Sequence, residues 1–186
     1  MDADTGRSSS ESAAERDTPG DAAAVHAEGA AQAPQEPGPS TGIVVGHDGS
    51  ADADQALRVA LDLATDLSVP VTIVRAWSID TAPRPANWEF GYVSSFSDYA
   101  DAVTARLVAD AQAAVAGHPH VTVDYRVALG GPAKALIEVS TGSRMLVVGS
   151  RGRGGLAGML LGSVSEQCVR HADCPVLVVP PRPKRS

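Results

Sequence analysis

The 186-residue chain contains two cysteines, seven aromatic side chains and no apolar run long enough to cross a bilayer. Each shortage excludes something. Cys168 and Cys174 cannot build the disulfide framework that staples small secreted domains. With His171 they spell C-x2-H-x2-C, three candidate ligands without a fourth, so zinc is weakly supported. The plainer reading makes Cys168 a buried helix residue and Cys174 the start of a strand. The N-terminus lacks the basic start and apolar centre of a secretory leader, and the expectation is a cytoplasmic protein.

A net charge of either sign is also missing from most of the chain. Residues 1–40 hold eight acids against Arg7 and Arg16, a net of −6 out of the chain's −7, which leaves −1 for residues 41–186. A nearly neutral body argues against an electrostatic nucleic-acid surface, and the basic residues 181–186 read as a short solvated tail. The acidic segment 1–40 contains no aromatic, isoleucine or leucine. Such a composition buries too little apolar surface to offset its ordering entropy, so it is expected to be a disordered tail.

From residue 42 onward, short apolar runs alternate with helix-length segments. The runs GIVVGH (42–47), VTIVRAW (71–77), MLVVG (145–149) and PVLVV (175–179) read as strands, the first and third buried on both faces. VTVDYRV (121–127) alternates strictly, which marks an edge strand with one wet face. Ser50 caps a first helix, one runs from about Asp98 to Ala116, Gly131-Pro132 opens another, and a last spans about Ser163 to His171. The pattern predicts one doubly wound α/β (Rossmann-like) domain over residues 41–180, with a five-stranded parallel sheet in the order 3-2-1-4-5 and helices on both faces.

Two further features call for a reading. Six of the seven aromatics (Trp77, Trp88, Phe90, Tyr92, Phe96, Tyr99) fall between positions 77 and 99, around a proline- and glycine-bearing loop at 78–96. That loop is either pinned to the body by its own apolar cluster or serves as a lid or partner surface. The last strand, Pro175 to Val179, would be an uncharged sheet edge, which invites pairing with a second copy; a homodimer through this strand is expected.

Ligands of such sheets sit beyond the strand C-termini at the switch point, here between the first and fourth strands. Facing it are GHDGS (46–50) and GSRGRGGLAGMLLGSVS (149–165). A strand, a glycine-rich loop and a helix opening on serine form an anion cradle, in which each helix-terminus interaction is worth about 0.3–1 kcal/mol, so several must converge. Ser163 and Ser165 add hydroxyls, and Arg151 and Arg153 add cations. Neither G-x-x-x-x-G-K-[ST] nor G-x-G-x-x-G is present, so the ligand stays open on composition alone, and a purely structural glycine loop is the alternative.

The run Gly149-Ser150-Arg151-Gly152, nine residues, then Gly162-Ser163 resembles the G-x2-G-x9-G-[ST] motif of the ATP-binding branch of the universal stress protein family. IVVGHDGS, GGPAKAL, MLVVGSRGRGG and GSVSEQCVRHADCPVLVV extend the resemblance across nearly all of 42–180. The resemblance implies ATP or another adenine nucleotide, with magnesium reached through the phosphates. It assigns Asp48 to the ribose and Ala76 to the point where backbone meets adenine. Gly149 and Gly152, with Ser150, Arg151 and Arg153 around them, would line the phosphate path. Gly162, Ser163, Val164 and Ser165 would take the terminal phosphates. The alternative for Asp48 is an ordinary turn aspartate. His47 and Arg144 depart from the family pattern; His47 either touches the ligand or is a satisfied structural histidine. No second acid stands beside Asp48 in either loop, so slow turnover at best is expected. The main reading is a nucleotide-holding regulator without catalytic residues. The alternatives are a slow ATPase or phosphotransferase, and a nucleotide-independent interaction module using loop 78–96.

Overall fold

A computed structural model describes residues 41–85, 95–154 and 160–182. The acidic segment 1–40, the end of the basic tail and, within loop 78–96, the residues Trp88, Phe90 and Tyr92 lie outside the described residues.

Strand β1 is Ile43–Gly46 and β2 is Val71–Trp77, with helix α1, Ala51–Leu67, crossing between them. Helix α2, Phe96–Ala116, leads to β3, Val123–Leu129; helix α3, Pro132–Val139, leads to β4, Met145–Gly149; helix α4, Ser163–His171, leads to β5, Val176–Val179. All pairings are parallel and the sheet order is β3-β2-β1-β4-β5. Ile43 lies between Val71 and Met145, so β1 is central.

Strands β1 and β4 have no polar gaps because consecutive side chains enter different cores. Ile43, Val45, Ile73 and Val147 pack against Leu57, Leu61 and Leu107 of α1 and α2. Val44, Val74, Leu146 and Val148 pack against Leu136 of α3 and Cys168 of α4. Cys168 is fully buried, and burial pushes its thiol up to about 11, as suits an inert packing residue.

Helix starts follow from their caps. Ser50 Oγ accepts from Ala53 N at 3.2 Å, with Asp52 and Asp54 in the first turn of α1. Helix α2 begins at Phe96, two residues before the sequence-based start, because Ser95 and Asp98 form a reciprocal capping box: Asp98 N donates to Ser95 Oγ and Ser95 N donates to Asp98 Oδ2. Strand β3 begins at Val123 rather than Val121, since Val121 N is drawn into a turn by the His118 carbonyl. It lies at the sheet edge, as its alternation predicts. Trp77 at the end of β2 stacks on Tyr99 of α2, with ring centroids 6.3 Å apart.

At the other end of α2, His118 Nδ1 donates to the Ala114 carbonyl and Nε2 to Asp62 Oδ1, both at 2.9 Å. Both partners accept, so both bonds are made only by the doubly protonated ring, and the Ala114 carbonyl and Asp62 carboxylate raise the His118 pKa above its ordinary 6.5. A raised folded value gives stability that is complete below pH 6.5 and is lost as pH climbs through the folded value. The melting temperatures of wild type and His118→Gln, measured across pH 5.5 to 9, are therefore expected to differ most at the acid end and to converge toward the alkaline end.

Candidate functional site

Between β1 and β4 the chain leaves the sheet toward opposite faces, opening a cleft of about 430 Å³ beyond the strand C-termini. One wall is apolar: Val74, Ala76, Val148, Pro132 and Leu136. Val74 and Ala76 share a face because they are two apart on β2. Leu136 can close the floor because Gly46 has no side chain; a Cβ there would stand 2.9 Å from Leu136 Cδ1.

The other wall is polar and is assembled by Asp48. Its Oδ1 accepts from Ser50 N and its Oδ2 from Arg153 N, both at 2.9 Å, so one carboxylate joins two loops 105 residues apart in sequence. Gly152 permits this approach: a Cβ there would lie 2.7 Å from Asp48 Oδ2. Gly149 allows a second close approach, since its Cβ would come within 3.1 Å of the Asp52 backbone at the start of α1. Burial opposes ionisation of Asp48, but the hydrogen bonds from Ser50 and Arg153 outweigh it and hold its carboxyl below the usual range. With the Ser50 side chain also bonded to it, the carboxylate keeps a lone pair for a ligand hydroxyl.

At the far end of the cleft, α4 starts on Gly162 with no side-chain cap, in contrast to α1 and α2. The first N–H groups of a helix have no intrahelical acceptor, and those of Ser163, Val164 and Ser165 stand at the cleft wall where the helix dipole is positive. Arg151 and Arg153 line the same end; Arg151 Nε lies 3.5 Å from Asp52 Oδ2.

The cleft thus gathers Asp48, Ala76, Gly149, Arg151, Gly152, Arg153, Gly162, Ser163, Val164 and Ser165. Ser150 does not line it. Its side chain is buried, its N–H donates to the Val179 carbonyl, and its own carbonyl accepts from Gly162 N at 2.7 Å and from Ser165 Oγ at 3.0 Å. Ser150 is the latch that holds the loop's two ends together. Ser165 is part of that latch: its hydroxyl donates to the Ser150 and Gly162 carbonyls, so only its backbone N–H is free to meet an anion.

Sequence reasoning missed the apolar wall beyond Ala76, although the two-residue period of β2 pairs Val74 with Ala76. It left His47 open. His47 borders the cleft but is 2% exposed and bonded through both ring nitrogens. Nδ1 is 2.7 Å from Arg75 Nη2, an obligate donor, so Nδ1 accepts and Nε2 carries the proton that goes to Asp54 Oδ1 at 3.0 Å. Burial, aided by the Arg75 charge, pushes the His47 pKa down and keeps the ring neutral.

A family model described as the universal stress protein family matches residues 39–180. Universal stress protein Rv2005c of Mycobacterium tuberculosis is 35% identical over 143 residues, covering 74% of this chain and 47% of that protein. The chain spans about half the length of the curated relatives it matches. A universal stress protein solved in complex with cAMP superposes with a TM-score of 0.59 at 24% identity, over 78% of this chain and all of that one. A family member from Burkholderia pseudomallei does so with a TM-score of 0.51 at 27% identity, over 78% of this chain and all of that one.

The contact between Gly152 and Asp48 makes a direct expectation. Gly152→Ala forces the loop away from the carboxylate and breaks the Arg153 bond, so carboxyl titration by NMR should show the Asp48 pKa rising toward its ordinary 3.8. An unchanged Asp48 titration in the folded variant would contradict this account of the polar wall.

Proposed function

This chain belongs to the universal stress protein family, and on that premise we propose that it binds an adenine nucleotide at the β1–β4 switch point and acts as a nucleotide-holding regulator. The observation that carries the reading is the union, in one cleft, of an apolar slot with the uncapped start of α4. A purine fits the first and phosphates the second. Asp48 stands between them with a lone pair to accept from a ribose hydroxyl, and Ala76 leaves room for the base beside the β2 backbone. A protein of the same fold has been solved with cAMP, which supports the ligand class.

Within that class the reading is ATP, with magnesium held through the phosphates. Arg151, Arg153 and the α4 N–H groups form a donor set that suits several phosphate oxygens. Little or no hydrolysis is expected. The carboxylates on the cleft wall are Asp48 and Glu166; two amides engage the first, and Arg170 Nη2 donates to Glu166 Oε1 at 2.8 Å. Neither is a free base poised for water. Denaturing the purified protein and identifying what is released should yield an adenine nucleotide, and calorimetry with ATP and magnesium should show one site per chain. Gly152→Glu should abolish the heat while the melting transition survives. No released nucleotide together with no heat from the wild type would remove the reading.

The regulator is further proposed to act in the cytoplasm as a homodimer. Strand β5 ends the sheet with one neighbour, β4, and its exposed edge carries no charge to deter pairing. Pairing with the same strand of a second copy would cover Val176 to Val178, which are only half-buried. Light scattering at micromolar concentration should give twice the chain mass, and Val178→Lys should shift it to the monomer; a monomeric wild type would exclude this interface.

A further inference from the structure

The loop that carries Asp48 is held from behind by charge. Arg75 is buried in β2 and spends three donors on this region: Nε to the His47 carbonyl at 3.0 Å, and Nη2 to His47 Nδ1 at 2.7 Å and to Asp110 Oδ2 at 2.9 Å. Asp110, on α2, is shared with Arg106 Nε at 3.0 Å. The same atoms face the next turn residue but one. Gly49 takes a φ of +84°, and a Cβ there would meet Asp110 Oδ2 at 3.5 Å and Arg75 Nη2 at 3.6 Å. Asp48 is therefore held from the residue before it, which is bonded to Arg75 through main chain and ring, while the residue after it faces the Arg75–Asp110 pair with room for a Cβ between them.

The geometry points to Arg75 and Asp110 as positioning residues for the nucleotide, acting through the His47–Gly49 turn to fix where Asp48 stands. This assignment rests on the adenine-nucleotide reading of the cleft. Two features favour it over a role in stability alone. Arg75 directs its guanidinium to a loop main-chain carbonyl, which it can order only while the fork is held in one orientation. Asp110 holds that fork by taking the remaining Nη2 hydrogen, and its own carboxyl, although burial opposes ionisation, is kept below the ordinary range by the two arginines. Helix α2 thereby reaches the ligand loop without touching the ligand.

The test is a double-mutant cycle on the full chain, read by calorimetry with ATP and magnesium, for wild type, Asp48→Asn, Asp110→Asn and the double variant. Asp110→Asn is expected to weaken binding about tenfold, and the double variant to bind no worse than Asp48→Asn alone, because residues that act through one another are not additive. Amide hydrogen exchange supplies a readout that does not involve nucleotide: Ser50 and Arg153, which donate to Asp48, should exchange faster in Asp110→Asn while Val147 in β4 keeps its rate. Asp110→Glu, which retains the charge, should bind within about threefold of wild type and keeps the test alive if the asparagine variant does not fold. Additive losses, unchanged affinity in a folded Asp110→Asn, or uniform acceleration of all three amides would overturn the assignment. A wild type that takes up no adenine nucleotide removes the reading and this assignment together, and is distinguished by failing before any substitution is made.

Discussion

The cleft exists because the Asp48 carboxylate accepts from Ser50 N on one loop and Arg153 N on another. Neither strand end would place the glycine-rich loop by itself, since the last β4–β5 bond is that of Ser150 N to the Val179 carbonyl and the residues after it have no ladder partners. The carboxylate supplies those partners, and only glycine at 152 lets the backbone come near enough. Everything at the α4 end of the cleft, from the two arginines to the opening of the helix, is placed by this pair of bonds and by the Ser150 latch behind it.

Burying ionisable groups beside such a site is costly unless each proton has a defined place. Here each does. His47 accepts from Arg75 and donates to Asp54, which requires a neutral ring of one tautomer, and burial ensures neutrality. Arg75 and Asp110 form the charged pair, with Arg106 on the outer side of Asp110. The helix starts divide in two: α1 and α2 close theirs with serine, while α3 and α4 follow glycine with no side-chain cap, and both begin at the cleft.

Much of this was legible in the sequence. Largely apolar strands with helical spacers dictate a two-faced parallel sheet, and the alternation at 121–127 put β3 at an edge. The spacing from Gly149 to Ser163 located the loop. What was not legible depends on partners remote in sequence. Ser95 did not announce itself as a cap because the residue closing its box is aspartate rather than the longer acid usual there. Ser150 and Ser165 look like ligand donors in one dimension, and only the fold reveals that a carbonyl stands over each. Arg75 reads as a charge interrupting a strand until Asp110 is brought beside it from 35 residues away.

The uncapped start of α4 has a consequence for how this site can change over time. Its recognition groups are main-chain amides, which every residue but proline supplies. The side chain at 164 can therefore change with little effect on those amides, and selection at that position acts on packing and backbone shape. Specificity must evolve elsewhere, along the apolar wall from Val74 to Leu136, where each substitution alters volume. On the proposed nucleotide reading, related chains should thus diverge in the base they accept sooner than in their demand for a phosphate.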